Sequence, residues 1–271
     1  FHVASVSKQF TAYAIVRLAS EGLIDLDASL AAYIPEAEVY RDVTVRDLLS
    51  HTHGIRDAMS LIGASGLRAE DVVTNAHALD LILRQRAMNA PPGEAFAYNN
   101  SGFILLAEMV ERVTGQSLSD YCRELIFEPL GMDDTVYVDS LATVISNRAQ
   151  SYAWTGEAYG RAPFNYALTG STGLTTTARD LALWAAHLDR RAEAEPAFYA
   201  AFHTLGVLND GARTTYAYGQ ERRVYRGLET WSHGGRDAGY RAFLLRAPDE
   251  KLSISVLSNA AMELLQALLV D

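Results

Sequence analysis

Residues 5–21 are apolar on nearly every face of a helix: Phe10, Tyr13, Ala14, Ile15, Val16 and Leu18 are spread around the turn, and Glu21-Gly22 close the segment. A helix with no polar face must be wrapped by other elements, so this one is expected to run through the centre of the molecule. With 271 residues, 49% of them hydrophobic, the chain can bury a large core as one domain or two closely packed lobes. Further helical patterns fall at 45–50, 70–88, 101–114, 119–127 and 177–188, with Gly and Pro punctuation between them and a loop-rich aromatic stretch over 151–173. The period then changes. Strand-like runs occupy 216–225, 228–233, 240–247 and 252–257 before a last helical pattern at 260–270. Short links make these strands antiparallel neighbours, so the expectation is an α+β fold with a helical lobe packed on an antiparallel sheet. Residues 1–205 are expected to form its mainly helical part and 206–271 its strands and last helix, together one unit. Internal repeats and low-complexity linkers are absent.

Charge narrows the partners. The formal net charge is −10, which repels phosphate backbones and anionic lipid surfaces and argues against nucleic-acid binding. No run of 18 apolar residues spans a membrane, and Phe1-His2-Val3-Ala4 has no basic-then-apolar leader pattern. The chain opens without Met almost directly on a catalytic-looking motif, which suggests that upstream sequence was trimmed away, and the compartment is not legible. The single cysteine, Cys122, excludes an internal disulfide framework and reads as a small buried hydrophobe.

Of 23 basic residues only Lys8 and Lys251 are lysines. Lys251 follows Pro248-Asp249-Glu250 in a turn and reads as solvated. Lys8 stands three residues after Ser5, on one helix face, which brings its amine near the Ser5 hydroxyl. A buried lysine can lose its proton and act as a base, whereas a guanidinium stays charged. Alone, Ser-x-x-Lys is weak, since a capping serine and a surface lysine give the same letters. A second element, Tyr98-Asn99-Asn100, sits between Pro91-Pro92-Gly93-Glu94 and a helix start. It can hold a phenol and an amide toward a cleft, although a plain turn with an Asn cap would look alike. The third is Trp231-Ser232-His233-Gly234-Gly235, a strand running into two glycines. Such an edge admits a substrate backbone and offers main-chain N–H groups to an oxyanion; the expected pair is Ser5 and Arg236. By itself His233 would more often be structural.

In this order the three elements resemble the penicillin-recognising serine hydrolases: class C β-lactamases, D-alanyl-D-alanine carboxypeptidases, D-aminopeptidases and related esterases. The likeness covers essentially the whole chain. It extends to Leu48-Leu49-Ser50-His51-Thr52-His53-Gly54, to Pro92-Gly93-Glu94 leading into Tyr98-Asn99-Asn100-Ser101-Gly102, to Glu128-Pro129-Leu130-Gly131-Met132, and to Gly173-Leu174-Thr175-Thr176-Thr177-Ala178-Arg179-Asp180. The resemblance implies that Ser5 is the nucleophile and that Lys8 and Tyr98 are the proton-transfer pair. It makes Asn100 a polar support and His233-Gly234-Gly235 the strand lining the cleft, with no cofactor or metal required. The substrate class it implies is a small molecule or short peptide bearing an amide or ester, cleaved through an acyl-enzyme. If an upstream signal was removed, it implies a periplasmic or secreted protein.

Two departures from the family pattern bear on that reading. The usual helix and two strands before the Ser-x-x-Lys helix are missing from this chain, so a sheet edge is expected to lie bare. True β-lactamases of this type carry Lys-Thr-Gly where this chain has His233-Gly234-Gly235. That loses a hydroxyl and a cation able to anchor a carboxylate, and D-amino-acid peptides or amides, or small esters, become the better substrates. Arg236 or Arg241 could supply the lost carboxylate contact. The alternatives are a β-lactamase, a penicillin-binding sensor that acylates without turnover, and a zinc hydrolase using His51, His53 and Asp57.

Overall fold

The computed structural model describes residues 1–68 and 71–261, so the helix expected over 260–270 falls almost wholly outside the described residues. Helices and an antiparallel sheet are both present, as the α+β expectation requires. The helices are α1 (Lys8–Ser20), α2 (Val45–Ser50), α3 (Ala58–Ala64), α4 (Asn75–Leu83), α5 (Asn100–Thr114), α6 (Leu118–Cys122), the single turn α7 (Glu128–Leu130), α8 (Ala178–Ala194) and α9 (Pro196–Phe202).

The central position expected for the apolar helix is realised in α1. Phe10, Tyr13, Ile15 and Leu18 are each at most 1% exposed. Phe10 stacks on Trp184 of α8 at 4.4 Å between ring centroids, and Tyr13 meets Trp184 and Phe198 edge-on at 5.2 and 4.8 Å. Burying a side chain such as Phe10 contributes about 2–3 kcal/mol. The first turn is tighter than an α-helix: Ala4–Ser7 is a 3-10 turn, with the Ser7 hydroxyl donating to Ala4 O and accepting from Leu174 N.

The sheet has six strands, β1 (Leu205–Val207), β2 (Arg213–Ala217), β3 (Gln220–Tyr225), β4 (Leu228–Asp237), β5 (Tyr240–Ala247) and β6 (Leu252–Ser258), each antiparallel to its neighbour in chain order. β4 runs through the whole His233-Gly234-Gly235 segment, pairing Gly235 with Ala242 and Arg236 with Arg241. The run expected as one strand at 216–225 is broken by a tight turn at Gly219, where φ is +77° and an added Cβ would lie 2.7 Å from Lys8 O. Only glycine lets that turn press against the start of α1. Among the described residues β6 is a sheet edge, with Leu252 45% and Ile254 39% exposed. No helix among the described residues is long and apolar enough to cross a membrane.

Tertiary contacts reset two boundaries. The helix expected over 70–88 shrinks to α4, because Val73–Thr74 pair with Tyr166–Ala167 and Thr74 becomes its cap, while Asn89 N donates to Gly54 O beyond its other end. Helices α3 and α9, seven residues each, are too short to show a helical period and are packed onto α4 and α1 respectively.

Candidate active site

Lys8 is fully buried at the head of α1, and each of its three N–H positions has a partner. Nζ donates to Ser5 Oγ at 3.1 Å, to Asn100 Oδ1 at 2.9 Å and to Ser171 O at 2.8 Å. The spacing of three residues therefore does what the helix geometry predicts. Asn100 comes from 92 positions away, where Asn99 caps α5 by accepting from Ser101 N. The turn and the functional amide are thus one feature, not rival readings. Burial drives the lysine pKa down to about 7 against the opposing charges of Asp57 and Asp237.

Tyr98 leans over the same amine, its ring centroid 4.9 Å from Nζ. Although 43% of the residue faces solvent, its hydroxyl end is packed and interacts with Ser5, and burial holds the phenol well above its ordinary value. At neutral pH the phenol is protonated and Lys8 is poised to exchange its proton.

Behind this group lies a residue that sequence reading placed only in a zinc alternative. Asp57 Oδ1 accepts from both Asn100 N (2.7 Å) and Asn100 Nδ2 (3.2 Å), while Oδ2 caps α3 through Met59 N and Ser60 N. The carboxylate fixes which way the Asn100 amide points and adds negative charge near Lys8. Its signal was present as an Asp before an apolar helical run. Ser171, by contrast, acts through a carbonyl, which no side-chain pattern announces. Replacing Asp57 by Asn is expected to lower the Lys8 pKa further, since a charge that raises it is gone. The acidic limb of a pH–rate profile would then move below its wild-type position, and an unchanged limb would show that Asp57 is not felt at Lys8.

The zinc alternative does not assemble. His51 Nδ1 accepts from Asn99 N and His53 Nδ1 from Ile55 N, both rings are fully buried, and burial keeps both neutral. Asp57 is committed elsewhere. Among the described residues no three His, Cys, Asp or Glu side chains converge.

On β4, His233 is also neutral. Its Nδ1 lies 2.6 Å from Gly234 O and so carries the proton, and its Nε2 accepts from Tyr216 Oη at 2.9 Å. Burial and nearby Lys8 depress its pKa to about 3, so it supplies no cation for a carboxylate. Gly234 borders the cavity, but Gly235 does not. A Cβ at Gly235 would sit 2.1 Å from Val3 O, so this glycine lets the strand touch the turn that carries Ser5. Arg236 is exposed at the cavity edge. Arg241 is 9% exposed, donates to Ala238 O and Tyr240 O, and is not among the residues that line the cavity. The cavity, about 460 Å3, brings Ser5, Tyr98, Asn100, His233, Gly234 and Arg236 together with Asp237 and Thr172. Cys122 is buried and its thiol pKa raised by burial, leaving it inert.

A central Ser-x-x-Lys helix, a Tyr-x-Asn loop and a sheet strand enclosing one cavity define the penicillin-recognising serine hydrolases. The chain belongs to the β-lactamase family, whose model matches residues 1–264. It is 29% identical over 275 residues to a D-aminopeptidase of Brucella canis, an alignment covering 98% of this chain and 52% of that protein. The chain therefore spans about half the length of the curated relatives it matches. Among solved structures it resembles a penicillin binding protein from Bacillus halodurans (TM-score 0.85, 24% identity, 100% of this chain and 84% of the other). It also resembles the D-amino acid amidase of Ochrobactrum anthropi SV3 (TM-score 0.80, 21% identity, 96% and 76%).

Proposed function

We propose that the chain is a serine amidohydrolase that cleaves D-amino-acid amides or short D-peptides through an acyl-enzyme on Ser5. The observation that carries this is the contact of the buried Lys8 amine with Ser5 Oγ at a lysine pKa near 7. Neutral Lys8 takes the Ser5 proton as Oγ bonds to the carbonyl carbon, and the resulting oxyanion rests on the main-chain N–H groups of Ser5 and Arg236. When the C–N bond breaks, the leaving amine takes a proton from Tyr98, which recovers one from Lys8. Water then attacks the acyl-enzyme, gives its proton back through the same pair and releases Ser5. Asn100 keeps the lysine in place throughout.

Two lines favour D-amino-acid amides over β-lactams. Similar proteins bear the names D-aminopeptidase and D-amino acid amidase, and His233, which stands at the position of the family's lysine, is neutral and offers no cation there to a β-lactam carboxylate. A fluorophosphonate probe should add its mass to the Ser5 peptide, and D-phenylalanine amide should be turned over faster than a penicillin. Labelling of a different serine, or none in folded protein, would remove the proposal.

The pH dependence follows with a definite sign. Only the neutral amine accepts the serine proton, and a lowered pKa makes that form abundant above about 7. Activity on an uncharged ester should therefore rise through about pH 7 and hold its plateau while Tyr98 remains protonated. A limb near the ordinary lysine value would contradict the buried, desolvated amine.

A further inference from the structure

We propose that Asp237 is the subsite for the protonated α-amine of the substrate, so that the cavity selects free-amine D-amino-acid amides over N-acylated ones. The assignment rests on the acyl-transfer reading of Ser5, because an α-amine is one carbon away from the carbonyl under attack and must be met inside the same cavity.

Asp237 ends β4 and lines that cavity beside Ser5 and Tyr98, with its side chain 16% exposed. Among the described residues it is the only acidic side chain in the lining. Its Oδ2 is held from behind, 3.2 Å from His2 Nε2 and accepting from Thr172 Oγ at 3.2 Å, and these two partners are themselves 3.0 Å apart. His2 is 1% exposed, so the carboxylate is braced by packed groups, while Oδ1 has no hydrogen-bond partner among the described residues. A prepositioned, mostly buried carboxylate with one free oxygen gives a charge-assisted bond to an ammonium at little ordering cost.

Other charges in the site do not compete for this role. Asp57, the other acid whose charge is felt at Lys8, has both oxygens committed to Asn100 and to the α3 cap. His233 is neutral, and the Arg236 side chain stands exposed at the edge, where water screens it.

The test is calorimetric binding to the full chain carrying Ser5→Ala, which cannot acylate, at about pH 6.5, below the pKa of an α-amine. The ligands are D-phenylalanine amide, its N-acetyl derivative and 3-phenylpropanamide, which lacks the amine. D-Phenylalanine amide is expected to bind at least about tenfold more tightly than either of the others, and adding Asp237→Asn should bring the three within about twofold. Equal affinities in the Ser5→Ala protein overturn the proposal without any second variant, as does a preference that survives Asp237→Asn in folded protein. Failure of wild-type Ser5 to take a fluorophosphonate while the amine preference stands would sink the hydrolase reading and leave this subsite intact. A labelled Ser5 with equal affinities would do the reverse.

Discussion

Lys8→Arg is expected to lower kcat/KM by roughly a thousandfold or more, the scale seen when one member of a nucleophile–base unit is removed. The substitution keeps a cation and a hydrogen-bond donor at the head of α1, so Asn100 Oδ1 and Ser171 O still find N–H groups. Burial is able to bring an ammonium down to about pH 7, but it cannot deprotonate a guanidinium at any pH the fold survives. The Ser5 proton then has no acceptor. Fluorophosphonate labelling of Ser5 should slow in parallel, and raising the pH should not rescue it. A residual activity within tenfold of wild type would mean that Lys8 only positions Ser5, and that Tyr98 or water removes the proton.

The second large effect is structural. Gly235→Ala should destabilise the protein by about 3 kcal/mol, at the upper end of overpacking costs, which for a chain of this size is a fall in Tm of roughly 6–12 °C. The added methyl would meet Val3 O at 2.1 Å. Backbone on both sides is fixed, because β4 is paired to β5 and Val3 N donates to Leu174 O. Relief requires moving β4 away from the Ser5 turn, so acylation should weaken along with stability. Gly63→Ala is the matched control, since nothing lies within 4 Å of an added Cβ there and a helical Gly→Ala change should be neutral or mildly stabilising. Similar Tm values for the two variants would show that the close approach of strand and turn is not a constraint.

Gly235 shows where sequence reading stops. Gly235 was expected to face substrate because it follows His233 and Gly234 on a strand; its task is set by Val3, more than 200 positions away in the chain, and no local pattern records it. Asp57 is a similar case. Its place before an apolar run marks a helix cap, and its bonds to Asn100 exist only because α3 and α5 meet. The expected helix over 70–88 failed at its ends for the same reason, since the pairing of Val73 with Tyr166 outweighs local helix preference.

Local chemistry determined the rest. The all-round apolarity of residues 5–21 required a central helix, and α1 is buried in just that way. The three-residue spacing of Ser5 and Lys8 placed them on one helix face, and the contact it allowed is made at 3.1 Å. The change of period from about residue 216 predicted a meander, because short links favour antiparallel neighbours, and the strands from Gln220 onward pair in that way. What only the tertiary structure decided is charge state and orientation: a lysine near pKa 7, a histidine kept neutral by burial and the nearby Lys8, and a carboxylate at Asp237 braced by His2 and Thr172. Those properties depend on burial and on partners far apart in sequence, and desolvation is a property of the folded surroundings, not of the residue.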